Sequence, residues 1–199
     1  MGQQGKHLNS IHVSHEKHTA ACATEIMAIP ETVCISMSQH IGAPCKPLVA
    51  KGDAVKVGQV IGDTDAFVSA PIHSSVSGTV KDIITMRNVM GGKDQMVVVE
   101  ADGKQEVWEE IKPPVINDMK DFIAAMRASG LVGLGGASFP THIKLNPKNL
   151  DEVETLIVNA AECEPFITSD HRLMLENTQY IIDGVLAVMK YLDIKMAYI

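Results

Sequence analysis

The sequence predicts an α+β protein: a β-rich N-terminal domain followed by the start of an α/β domain with parallel strands. Three observations carry this. Between residues 30 and 110, short β-branched runs alternate with polar residues and are punctuated by Gly, Pro and Asp at regular spacing, the pattern of a small sandwich or barrel. After Pro113 and Pro114 the period becomes helical, with Met119, Phe122, Ile123 and Met126 on one face. Beyond that, strand, helix and strand follow at the spacing of a βαβ unit. The expected organisation is an N-terminal arm (1–28), a β-rich domain (29–112) and an α/β segment (113–199).

The arm is polar and carries His7, His12, His15 and His18. The repeat His12, His15, His18 can place two imidazoles on one helical side, a spacing open to metal. Solvated histidines are common at termini, so the preferred reading is a surface arm wrapped on the body. In the β-rich part, residues 33–37 alternate as a strand, Pro44 and Pro47 bracket a turn, and residues 51–62 and 70–80 repeat one style of valines, glycines and Asp. Residues 96–100 form a further strand that ends at the turn Ala101-Asp102-Gly103. In the α/β segment, Asn117 or Asp118 caps the first helix and Gly130 ends it. Residues 154–159 read as a buried strand, Ser169 and Asp170 as the cap of a short helix, Asn177 as the cap of a second helix to about Tyr191, and residues 194–199 as another strand. A two-stranded parallel sheet cannot cover itself, so the natural protein is expected to continue past residue 199.

Composition narrows the function classes. The net charge is −7 and the acidic excess is spread along 199 residues. No basic run interleaves with aromatics, which argues against nucleic acid. No apolar run approaches the ~18 residues of a membrane span, and the first residues lack the apolar core of a secretory signal. Cys22, Cys34, Cys45 and Cys163 include no C-x-x-C pair, so a metal or iron–sulfur site built from this chain alone is not expected. Cys163 reads as a packed thiol, since no general base is evident near it in sequence. His142 and His171 read as surface or packing residues.

The residues richest in chemistry are G-L-V-G-L-G-G-A-S-F-P-T-H-I-K (130–144) and V-N-A-A-E-C-E-P (158–165). Gly133, Gly135 and Gly136 allow bare backbone to approach a flat ring or a phosphate without a Cβ clash. Lys144 offsets phosphate charge. Asn159 and Glu162 follow the carboxyl end of a parallel strand, where open α/β sheets bind ligands. Phe139 can stack on a heterocycle, and Glu164 can accept from ribose hydroxyls. Together these parts point to a nucleotide or flavin site. A common dinucleotide fingerprint is a poor match, because Ser138 holds the third glycine position and the loop follows a helix instead of a strand.

Two resemblances sharpen this. The string V-K-x-G-Q-V-I-G…S-A-P-I-x-S-x-V-S-G-T-V resembles a hammerhead domain of the biotinyl/lipoyl, barrel-sandwich type. The tip of its hairpin would be residues 63–67. No lysine lies between Lys56 and Lys81, so a swinging prosthetic group has no ε-amine to join. The string G-x-G-G-A-S-F-P-T-H-x-K resembles the flavin loop of the complex I NADH-oxidising subunit, and is more similar still to RnfC, a component of the Rnf ion-translocating electron-transport complexes. The stretches S-Q-H-I-G-A-P-C-K-P (38–47), F-V-S-A-P-I-H-S-S-V-S-G (67–78) and N-A-A-E-C-E-P (159–165) agree with the latter. Leu134, Ser138, His142 and Ala161 depart from the complex I motif, which has Arg, Gly, Gly and Asp there.

The resemblance implies an NADH-oxidising, FMN-binding subunit of a membrane-associated complex, placed in the cytoplasm on the inner face of the membrane. It would pass electrons through flavin to 4Fe-4S centres, with ferredoxin an indirect partner and other subunits of the complex direct ones. The cluster motifs of the family would lie beyond residue 199. Cofactor-binding roles then fall on Gly133, Gly135, Gly136, Ala137, Phe139, Lys144, Asn159, Glu162 and Glu164, with no catalytic side chain, because hydride transfer needs none. Competing readings are a flavin-free docking subunit of a quinone-reductase-like complex and a soluble electron-transfer protein of an amino-acid reductase.

Overall fold

The computed structural model describes residues 13–88 and 91–199. Its first half is all β. Strand β1 (Thr32–Ser36), β3 (Ala54–Val55), β6 (Gly78–Arg87) and β7 (Lys93–Ala101) form one antiparallel sheet in the order β1-β7-β6-β3. A second, three-stranded sheet runs β2-β4-β5, from β2 (Lys46–Pro47), β4 (Val60–Asp63) and β5 (Ile72–His73). The long pair β6/β7 is the spine, and its register slips between Val80 and Asp82. Such a bulge increases local twist and bends the strand, which curls the sheet over its core.

That core is built from alternating valines. Val80, Val97 and Val99 point inward with Val55, Ile61, Met37 and Cys45. Burying each large apolar side chain contributes roughly 1.5–3 kcal/mol, so the period-2 pattern fixes which face of each strand turns inward. The ten-residue strand β6 is longer than the sequence pattern showed, because charged residues on its outer face and the bulge interrupt the alternation.

The second half joins helices to a parallel pair of strands. Helix α1 (Met119–Ala128) starts where Asp118 accepts from the Asp121 N–H at 2.8 Å, the expected cap. A short helix, α2 (Thr141–Lys144), follows the glycine loop. Strand β8 (Thr155–Ile157) leads through α3 (Ser169–Glu176) and α4 (Thr178–Leu192) to β9 (Met196–Tyr198), which pairs parallel with β8. Phe122, Leu192 and Ile194 centre a second core, in which the Phe122 and Tyr191 rings stack 4.8 Å apart. The α+β architecture with parallel strands is therefore as the sequence predicts.

Three local expectations are corrected. Strand β8 is not buried: Ile157 is 74% exposed, since no element among the described residues packs on that side. Thr168, not Ser169, takes the N-cap position of α3, and no cap bond comes from its own side chain. Cys163 is exposed and not packed. His142 does prove to be a packing residue, buried at 9% exposure. His7 and His12 lie outside the described residues; His18 pairs with Glu16 at 3.0 Å, and no metal-holding cluster exists among the described residues.

The two halves are tied by a specific joint. Arg127, in the last turn of α1, donates to both Asp63 carboxylate oxygens at 2.8 and 3.3 Å, and to the Thr64 carbonyl at 3.1 Å. Just beyond, Gly130 adopts φ +70°. A Cβ there would lie 2.5 Å from the Pro71 carbonyl oxygen, so only glycine permits this approach. The Ile41 N–H also donates to the Ala137 carbonyl at 3.2 Å, so the β half directly supports the glycine loop.

Candidate functional site: a cleft between the glycine loop and helix α3

The glycine loop is a small hairpin. Val132 and Pro140 bridge antiparallel, the Gly133 N–H donates to the Phe139 carbonyl at 2.9 Å, and the Thr141 N–H to the Leu131 carbonyl at 3.0 Å. These bonds close the base and push residues 134–138 outward as a tip. At the tip, Gly136 has φ +66°, and neither Gly135 nor Gly136 has any atom within 4 Å of where a Cβ would stand. Ser138 also adopts a left-handed φ, +47°. Leu134 is 89% exposed beside the two glycines.

The tip lines a cleft of ≈ 1190 Å³. Gly135, Gly136, Asn159, Glu162 and Glu164 all face it, so five of the nine sequence-nominated residues converge there. The other four do not line it. Gly133 and Phe139 sit at the closed base of the hairpin, and the Ala137 carbonyl is committed to Ile41. Lys144 stands behind the loop, its Nζ 3.2 Å from where a Gly133 Cβ would be. A side chain at Gly133 would crowd that ammonium group.

Within the cleft several polar groups already have partners. The Asn159 Oδ1 accepts from the Ala161 N–H at 3.0 Å, a local turn just past β8. The Glu162 Oε1 accepts from the N–H groups of Asp170 and His171 at 2.8 and 3.1 Å. A carboxylate eight residues upstream thus caps α3, matching the positive end of the helix. Arg172 donates through Nε to Glu176 Oε1 at 2.9 Å and also through Nη2 to the same oxygen. That Arg172 bond, with the Thr24 N–H at 3.0 Å, pulls the Glu176 carboxyl down to about 2.

Sequence reasoning missed the contribution of the N-terminal arm. Thr19 and residues 22–25 line the same cleft. Nothing local to residues 14–25 signals this; the contacts join positions about 150 apart.

A curled β-sandwich joined to a glycine-loop unit with parallel strands defines a two-part class: a barrel-sandwich hybrid followed by a flavin-binding domain. Residues 6–104 match the RnfC barrel sandwich hybrid domain, and residues 126–199 match the Nuo51 FMN-binding domain. Three relatives are RnfC-type components of oxidoreductase complexes. One belongs to the proton-translocating ferredoxin:NAD(+) oxidoreductase complex of Clostridium ljungdahlii; it is 46% identical over 188 residues, covering 92% of this chain and 41% of that protein. Its counterpart in the Na(+)-translocating ferredoxin:NAD(+) oxidoreductase complex of Acetobacterium woodii is 40% identical, covering 99% of this chain and 45% of that one. The counterpart in the ion-translocating oxidoreductase complex of Rhodobacter capsulatus is 34% identical, with coverages of 95% and 37%. The chain belongs to the RnfC family of oxidoreductase-complex subunits. It spans about two fifths of the length of these relatives.

Proposed function

We propose that this chain is the flavin- and NADH-handling part of an RnfC-like protein, with residues 29–112 as a supporting β domain and 113–199 as the flavin-binding unit. FMN would lie in the cleft between the glycine tip and residues 159–164. The observation that carries this reading is the convergence of open backbone at Gly135 and Gly136 with Asn159, Glu162 and Glu164 on one cleft. Its volume of ≈ 1190 Å³ exceeds the ~300–1,000 Å³ typical of small-molecule sites.

The residues present fit a flavin. The bare tip accepts a planar ring edge against the backbone, and the Asn159 amide nitrogen carries two donors for a ring carbonyl or ribityl hydroxyl. Lys144, behind the loop, supplies positive potential toward the phosphate. Glu164 accepts from ribose hydroxyls of a nicotinamide nucleotide. Bound flavin supplies the conversion between two-electron and one-electron transfer, linking a reduced nicotinamide to an iron–sulfur centre. The chain's own contribution is binding and orientation: the closed hairpin base holds the tip, and the Glu162 cap fixes the 162–170 turn. Electrons would leave to clusters in the rest of a longer protein, and through its partners in a membrane complex. Among the described residues no helix is long and apolar enough to cross a membrane.

A second reading, a flavin-free docking subunit, draws on one observation. Arg172 is the one cation lining the cleft among the described residues, and it is already bound to Glu176 and the Ala20 carbonyl. Titration of the chain with FMN, read by flavin fluorescence, separates the two. The flavin reading predicts saturable one-to-one binding, weakened about tenfold by Asn159→Leu, the loss expected for one good hydrogen bond. Gly135→Val weakens it further by filling the ring's side of the tip. Absence of saturable binding supports the docking reading.

A further inference from the structure

Among the described residues, positions 16–24 of the N-terminal arm bond repeatedly to one distant segment, residues 164–176. The Glu16 N–H donates to the Pro165 carbonyl at 3.2 Å. The Lys17 ammonium donates to the carbonyls of Glu164 and Ile167 at 2.8 and 2.7 Å. The hydroxyls of Thr19 and buried Thr168 meet at 2.6 Å. Arg172 Nη1 donates to the Ala20 carbonyl at 3.1 Å, and the Thr24 N–H to Glu176. The His18 ring lies 6.2 Å from that of Phe166.

We infer that residues 14–25 are a strap that forms one wall of the cleft, with Lys17 and Arg172 as the residues that position it, and that the strap sets how fast a bound flavin or nucleotide leaves. The occupant's identity rests on the function proposed above; the strap's place in the cleft does not. Lys17 is the hub, because its two charge-assisted bonds hold both ends of the 164–167 turn and the arm together. The strap is a wall and not a plug, since the cleft keeps a volume of ≈ 1190 Å³ while Thr19 and residues 22–25 line it. A wall that encloses more of a ligand acts mainly on its escape, and affinity differences within one site are mostly differences in dissociation rate.

Cys163 lines the same cleft and is exposed, which gives a reporter independent of any ligand. The test is the rate of N-ethylmaleimide addition to Cys163, resolved by peptide mass, in the ligand-free chain and in its Lys17→Met and Thr19→Val variants. Exposed Cys34 on β1 serves as the internal reference. The strap predicts several-fold faster labelling of Cys163 in both variants with Cys34 unchanged. Equal Cys163 rates overturn it. Should Lys17→Met accelerate Cys34 as well, and so report unfolding, Thr19→Val alone decides. In FMN-loaded chain, Lys17→Met should raise the dissociation rate and leave the association rate nearly as it was. Faster association or tighter binding in that variant overturns the wall in favour of a blocking arm. Failure of the unaltered chain to bind FMN refutes the flavin reading, and Cys163 labelling then judges the strap by itself.

Discussion

Ser138 shows how one residue carries the loop's compromise. It sits at φ +47°, where a Cβ costs about 1–2 kcal/mol, and it stands where the complex I motif has glycine. Ser138→Gly removes that cost and adds chain entropy to the unfolded state worth about 0.5–1 kcal/mol. The expected outcome is a net gain of about 0.5–1 kcal/mol in denaturant unfolding. A loss would mean that the Ser138 side chain holds the tip. Glu162 carries the opposite lesson. Its sequence context nominates it as a ligand group, and its geometry spends one oxygen on the N-terminus of α3. A cap reaching back across eight residues leaves no fixed spacing to read, so the sequence alone does not single out this role.

Among elements, the decisive contact joins strand β4 to helix α1. Burial alone would push the Asp63 carboxyl up. The Arg127 hydrogen bond, the Thr64 N–H and the charges of Arg127 and His73 outweigh it and hold the group below its ordinary value of 3.8. A carboxyl lowered on folding stabilises fully above its unfolded pKa, and the gain disappears as the pH falls through the folded value. The joint should therefore be pH-independent above about pH 4 and weaken below it. Arg127→Met should cost about 1–2 kcal/mol at neutral pH, as expected for a partly exposed charged hydrogen-bond pair, and should flatten the acid limb of a plot of unfolding midpoint against pH. An acid limb as steep as in the unaltered chain would place the acid sensitivity elsewhere. The elements themselves are largely legible: the run of three valines at 97–99 ahead of the turn at 101–103 marks β7, and the Met119, Phe122, Ile123, Met126 face marks α1. Strand β6 was only partly legible, because its bulge after Val80 shifts the period. The exposure of β8 was not legible, because an apolar run reads the same whether or not anything covers it.

At the scale of the whole molecule, the β half and the α/β half meet so that one supports the loop of the other. The sequence nominates the loop from its glycines and residues 159–164 from the carboxyl end of a parallel strand, and Gly135, Gly136, Asn159, Glu162 and Glu164 line one cleft. It could not show that Phe139 and Lys144 stand outside the cleft lining, because the hairpin closure between Val132 and Pro140 is a tertiary event. Nor could it show the strap, whose bonds span about 150 positions. The central claim is that flavin sits between the glycine tip and the start of the 159–164 segment. Hydrogen exchange with and without FMN, followed by peptide mass, tests it most directly. The account predicts added protection at residues 133–139 and 159–164, with β6 and β7 unchanged. Protection confined to the β half, or none at saturating FMN, would contradict it.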